Sequence, residues 1–241
     1  MKILEGIMTA EIISTKLRKL ADKDKAKLLQ RFFKTGPGEY GEGDIFLGIN
    51  VPAIRKLSKK HEGLPLEEAV RLLKSPFHEE RLLALLLLVR LFSKGDEALK
   101  KKIFDLYLNH TKYINNWDLV DLTAPNIVGT YLLDKSREPL YSLVASNNLW
   151  KRRISILATL AFIRQDDFGD TLGISKTLLS DDRDLIHKAV GWMLREVGKR
   201  SMTAEERFLR EHCRKMPRTT LRYAIERFPE AKRKKYLNGT I

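Results

Sequence analysis

SDDRDLIHKAVGWML (180–194) starts with loop and cap residues and runs straight into an amphipathic helix. Four other segments share that layout: SPFHEERLLALL (75–86), INNWDLVDL (114–122), SNNLWKRRISIL (146–157) and PRTTLRYAIERF (217–228). Anchored at Arg81, Trp117, Arg153, Lys188 and Arg222, they recur at steps of 36, 36, 35 and 34 residues. That step is the period of a helical-pair repeat, in which each unit buries its apolar face by stacking on its neighbours. The spacing therefore predicts an all-α chain: an α-solenoid of helical-pair repeats with a concave basic face, forming one domain over residues 1–241.

Helical periodicity extends outward from these anchors. Amphipathic blocks fall at 10–21, 23–34, 66–74, 78–93, 97–109, 117–132, 150–164, 183–199 and 217–227. Short breaks separate them, among them SKGD (93–96), SNN (146–148) and SDD (180–182). Only DIFLGINV (44–51) reads as a possible strand. GPGEYGEGD (36–44) contains a formal G-x-G-x-x-G, but RFFKT, a helix, precedes it. Glu39, Glu42 and Asp44 would repel a phosphate, so this is a loop between helical units.

Composition narrows the function. The 241 residues carry 45 Lys and Arg against 31 Asp and Glu, a formal net charge of +14. That excess points to an anionic partner, most often nucleic acid. Cys213 is the single cysteine, which excludes an intramolecular disulfide and a multi-cysteine zinc site. His61, His78, His110, His187 and His212 show no metal-ligand spacing, so neither metal nor cofactor is expected. MKILEGIMTAEIIS (1–14) has a glutamate within its apolar part and lacks a secretory leader's apolar region. LLALLLLV (82–89) is too short to span a bilayer. A soluble cytoplasmic monomer is the expectation.

In stacked repeats, residues of equal phase form rows. Four positions after the anchors come Leu85, Asp121, Leu157, Trp192 and Glu226, one helical turn away. Trp117, Asp121, Arg153, Lys188 and Trp192 are thus expected on one surface. On helix 183–199 the core stripe is Ile186, Ala189, Val190, Met193 and Val197. Trp192 lies about 120° from it, among Lys188, Arg195 and Lys199. Either it meets a sugar-phosphate backbone or base, or it packs against the next repeat. Trp150 shares a stripe with Ile154, Leu157 and Ala161 and belongs to the core. Arg153 borders that stripe, either snorkelling or aimed into the cleft. In NNWDLVD (115–121) the two acids separate. Asp118 suits the first turn of the helix, with Asn115 or Asn116 as cap. Asp121 shares the face of Trp117 and needs another reason.

NNWDLVD, WKRR (150–153), HKAVGWMLRE (187–196) and LRYAIERF (221–228) together resemble the AlkD-type DNA alkylation repair glycosylases, all-helical proteins of HEAT-like repeats. KTGPGEYGEGDIFLGINVPAIRKL (34–57) is also similar to that family, so the likeness covers almost the whole chain. It implies base excision repair: removal of cationic N3- and N7-alkylated purines, such as 3-methyladenine and 7-methylguanine, from duplex DNA. It implies Trp117 and Trp192 as the indoles around the lesion's deoxyribose, Asp121 as the catalytic carboxylate and Arg153 as a contact to the lesion strand. Asn116 stands where some members have a second tryptophan.

The chemistry fits these residue types. A cationic purine already leaves well, so the enzyme needs a negative charge near the oxocarbenium-like sugar and a positioned water. The phosphates around such an acid must be outweighed by cations. Lys151, Arg152, Arg153, Lys188, Arg195, Lys199, Arg218 and Arg222 are the DNA-binding candidates, by phase or proximity. Two other classes stay open: a non-catalytic repeat protein binding distorted or branched DNA, and a protein-binding helical scaffold.

Overall fold

Polar side chains start several helices, at the expected breaks before Lys23, Glu97 and Leu149 and at Ser201, where no break was expected. Asp22 accepts from the Asp24 and Lys25 N–H groups, Asp96 from Leu99, Asn148 from Trp150 and Lys151, and Ser201 from Ala204. In the computed structural model, which describes residues 8–241, every regular element is helical. The stretch MKILEGI (1–7), part of the N-terminus read above as lacking a secretory leader, lies outside the described residues. Among the described residues there is no strand. DIFLGINV (44–51) forms only an isolated bridge, Ile45 with Phe77. None of the described helices is long and apolar enough to cross a membrane.

The chain divides into two compact units, Met1–Leu119 and Val120–Ile241. The first holds α1 (Ala10–Arg18), α2 (Lys23–Phe32), α3 (Val51–Lys60), α4 (Leu66–Leu73), α5 (His78–Lys94) and α6 (Glu97–Asn109). The division falls inside the five-residue α7 (Trp117–Asp121). α5 packs against α3, α4 and α6, and α1 against α4. The run Leu82 to Leu88 is buried all round, as expected for a helix covered on every side. Glu79 is buried too, and its carboxylate accepts the N–H groups of Leu47, Gly48 and Ile49 at 2.8, 2.8 and 3.1 Å. That is what pins the irregular segment after the glycine-rich loop. In the loop itself, Glu39 and Glu42 accept from the Gly36 and Gly38 N–H groups. The loop's own acids fill the amides that a phosphate would need.

The second unit continues with α8 (Glu138–Val144), α9 (Leu149–Ala158), α10 (Leu160–Ile163), α11 (Gly169–Leu178), α12 (Asp184–Arg200), α13 (Met202–His212), α14 (Arg218–Ala224) and α15 (Glu230–Asn238). Helices pair as α8 with α9 and α11 with α12. The second helices α9, α12 and α14 lie side by side. This is α-solenoid stacking, as the period predicts. Gly191 lets α12 and α14 meet: a Cβ there would lie 2.5 Å from the Thr220 carbonyl oxygen and 2.5 Å from the Tyr223 Cβ.

Three expected blocks are not single helices. The helix over 117–132 stops at Asp121 and resumes as a π-helical turn, Pro125–Gly129. Pro125 has no N–H to donate, so the regular ladder fails there. The Asn126 side-chain amide takes the Leu122 carbonyl at 2.8 Å. The block 150–164 breaks at Thr159 into α9 and α10, and 217–227 ends in a 3-10 turn over Ile225–Arg227.

Candidate functional site

In the first unit, the start of α7 is bolted to buried charge. Asn116, fully buried, accepts the Trp117 N–H at 2.9 Å and donates to Asp44 at 3.2 Å. Asp118, 6% exposed, accepts the Leu119 N–H at 2.9 Å through Oδ1. Its Oδ2 accepts from His78 Nε2 at 2.9 Å, while His78 Nδ1 donates to Asp44 Oδ2 at 2.8 Å. Arg81 completes the set, donating to Asp44 at 2.6 Å and to Asn115 at 3.2 Å. Burial works against a charged imidazole, but the Asp118 and Asp44 carboxylates outweigh it and push His78 up to about 9. Burial likewise opposes ionised Asp44, yet His78 and Arg81 hold it below the ordinary carboxylate range. The buried set is therefore ionic: an imidazolium between two carboxylates, with Arg81 balancing the second negative charge.

Trp117 is half-buried. Its indole stacks on Phe33 with ring centres 5.0 Å apart and planes 11° from parallel, and Phe32 approaches it edge-on at 6.0 Å. Phe33 stacks on Phe46 at 4.8 Å, and Phe46 on the His78 ring at 4.3 Å. Phe32, Phe33, Phe46 and His78, but not Trp117, line an apolar cleft of about 400 Å³ together with Leu28 and Ile54.

In the second unit, Asp121 meets Arg153 in a two-pronged ion pair. Nε and Nη2 donate to Oδ1 and Oδ2, both at 2.8 Å. Nη1 donates to the Leu185 carbonyl. The Asp121 side chain keeps 14% exposure and that of Arg153 keeps 5%. Sequence reading placed both residues on one surface but did not foresee that they neutralise each other.

Trp192 is half-buried, while Ile186, Ala189, Val190, Met193 and Val197 are each at most 1% exposed, as the expected stripe requires. The Trp192 indole N–H donates to Glu196 Oε1 at 3.0 Å, and Lys199 binds the same oxygen at 2.5 Å. These residues border a cleft of about 330 Å³ with Leu160, Ile163, Arg164 and Arg200. Glu196 was missed; its position one turn after Trp192 was the available signal. Trp150 is 7% exposed and belongs to the core, as read.

The candidate cations sort by partner. Arg152 is tied to Asp181 at 2.6 Å and to the Ser146 carbonyl at 3.0 Å. Lys188 pairs with Asp184 at 2.7 Å, and Arg195 with Glu226. Arg218, exposed, donates to the Leu237 carbonyl at 2.9 Å. Half-buried Lys151 and exposed Arg218 and Arg222 have no carboxylate partner among the described residues.

The family model for a DNA alkylation repair enzyme matches residues 13–228. Comparison with curated proteins finds no match. Among solved structures, the chain is similar to a "Predicted DNA alkylation repair enzyme from Enterococcus faecalis", with a TM-score of 0.67 and 16% identity. That likeness covers 87% of this chain and 97% of the other, and at such identity it speaks for the fold alone. The family match over nearly its whole length is the decisive finding: this chain belongs to the DNA alkylation repair enzyme family.

Proposed function

We propose that the protein is a monofunctional DNA glycosylase. Acting as one monomeric repeat domain on duplex DNA, it excises cationic N3- and N7-alkylated purines such as 3-methyladenine and 7-methylguanine. In this reading Trp117 and Trp192 flank the deoxyribose, Asp121 stabilises the oxocarbenium-like sugar, and Lys151, Arg218 and Arg222 meet phosphates. Water hydrolyses the N-glycosidic bond, the purine leaves with the bonding electrons that neutralise its charge, and no cofactor is required.

The observation that carries the proposal is the Asp121–Arg153 fork, a carboxylate held in a fixed orientation and still partly open to solvent. Its strength can be gauged. A lone carboxylate ~4 Å from the sugar, at an effective dielectric of ~20, is worth about 4 kcal/mol. The guanidinium, ~4 Å further away, takes back about half, leaving about 2 kcal/mol, or roughly 30-fold in rate. Arg153 engages three of its N–H groups with Asp121 and Leu185. A phosphate that draws the guanidinium away would restore the larger value, about 10³-fold.

The test is single-turnover release of 7-methylguanine and 3-methyladenine from alkylated duplex DNA, wild type against Asp121→Asn. The variant is expected to be slower by between about 30-fold and 10³-fold. Equal rates would refute the role of Asp121. Tight DNA binding without release by the wild type would instead support a non-catalytic protein that binds distorted or branched DNA.

A further inference from the structure

α7 has five residues, too few to hold itself in place by its own hydrogen bonds. Yet it carries Trp117, whose orientation the proposed chemistry depends on. One buried side chain reaches that tryptophan by two separate routes. The first is polar. His78 donates to Asp118, which accepts the N–H of Leu119, and to the same Asp44 oxygen that receives Asn116. Asn116 in turn accepts the Trp117 N–H. The second is a ladder of rings. His78 stacks on Phe46 at 4.3 Å, Phe46 on Phe33 at 4.8 Å and Phe33 on Trp117 at 5.0 Å, with interplanar angles of 21°, 26° and 11°. The polar route fixes where the α7 backbone begins. The ring route fixes the plane of the indole. Neither has slack, because Asn116, His78 and Asp118 are all buried and fully partnered.

We infer that His78 is the positioning residue for Trp117, setting the register of α7 through Asp44 and Asp118 and the plane of the indole through Phe46 and Phe33. The catalytic consequence rests on the glycosylase reading above; the structural one does not. Misplacing a substrate-aligning group by about 1 Å costs up to about 100-fold in the chemical step.

The protein's three tryptophans give three indole N–H resonances in ¹⁵N-labelled material, assigned by single Trp→Phe replacements. In His78→Gln the Trp117 resonance is expected to move as its ring contacts shift, while those of Trp150 and Trp192 stay in place. Phe46→Leu leaves the ionic set intact and breaks the ladder, and should move the same resonance. In single-turnover base release, both variants should lose about tenfold or more in the rate of bond cleavage, with affinity for unmodified duplex within about twofold of wild type. A merely structural role would lower the active fraction and leave the rate of that fraction unchanged. A Trp117 resonance unmoved in folded His78→Gln would overturn the inference. If that variant does not fold, an unmoved resonance in Phe46→Leu would do so. If the wild type releases no base, the glycosylase reading falls and the resonances alone decide the role of His78.

Discussion

The buried imidazolium makes a quantitative statement about stability and pH. His78 has an ordinary value of 6.5 and is pushed up to about 9 in the fold by Asp118 and Asp44, against the opposing effect of burial. A group whose folded value lies above its unfolded one stabilises the fold fully below the unfolded value. That contribution is lost as pH rises through the folded value. The window here runs from 6.5 to about 9. At 1.36 kcal/mol per unit, the difference amounts to about 3 kcal/mol, a large share of a domain's usual margin. The groups facing His78 are Asp44 from the loop, Asp118 from α7 and, through Asp44, Arg81 from α5. Urea unfolding followed by helical circular dichroism, at several pH values between about 6 and 10, measures the loss. Other groups titrate over the same range, so the comparison is between wild type and His78→Gln, in which their contributions cancel. The wild type should lose about 3 kcal/mol more than the variant across that span. Identical pH dependence in both would show that His78 is not held charged between its two carboxylates, and the ionic account of the α7 start would fail.

Gly191→Ala should strain the contact between α12 and α14, where the added carbon would meet backbone and Tyr223. A cost of about 1–3 kcal/mol is expected, read as a fall of several degrees in melting temperature. Glu205, 1% exposed, is pushed up to about 8, chiefly by burial and then by Glu206. Its folded value lies above its unfolded one, so between 4.5 and about 8 the fold must keep it protonated while the unfolded chain ionises it, and stability falls across that range; Glu205→Gln should stabilise the protein by about 3 kcal/mol at pH 7 and by nothing below pH 4. The cations should divide in salt titrations of DNA binding. Lys151→Ala and Arg222→Ala should each reduce the slope of log affinity against log salt by about 1. Arg152→Ala should instead cost about 3 kcal/mol of stability, since it strands the nearly buried Asp181.

The repeat period was legible because it rests on where polar or proline-bearing breaks give way to apolar periodicity. Side-chain caps mark only some of those points, Asn148 before α9 and Asn116 before α7, and are absent before α5, α12 and α14. Two helices went unread despite amphipathic faces and side-chain caps, α3 behind Asn50 and α13 behind Ser201; three others had weaker signals. α11 carries two glycines and little amphipathicity, α8 is one short apolar run behind a proline, and the cations of α15 hide its single buried residue, Tyr236. The break after Asp121 could have been read from Pro125, which removes a donor in mid-helix. The pairing of site residues was harder, since no local rule joins Asp121 to a residue 32 positions away. One non-local rule does. Stacked repeats bring together residues separated by about one period, and several ion pairs fall near that separation: Lys94 with Glu62, Arg153 with Asp121, Arg195 with Glu226 and Arg200 with Asp166. Scanning at the anchor step itself would have pointed Arg153 to Asp118, 35 positions away; the partner Asp121 lies at 32, because these pairs fall a few residues short of the full period. Arg195 meets Glu226, 31 positions away, whereas Arg222 has no carboxylate partner among the described residues. On the function proposed above, the cations assigned to phosphates are those without an internal carboxylate partner among the described residues, Lys151, Arg218 and Arg222. On the same proposal Asp121 is limited by its partner, because an acid anchored by the arginine of the next repeat gains a fixed orientation at the expense of about half its field.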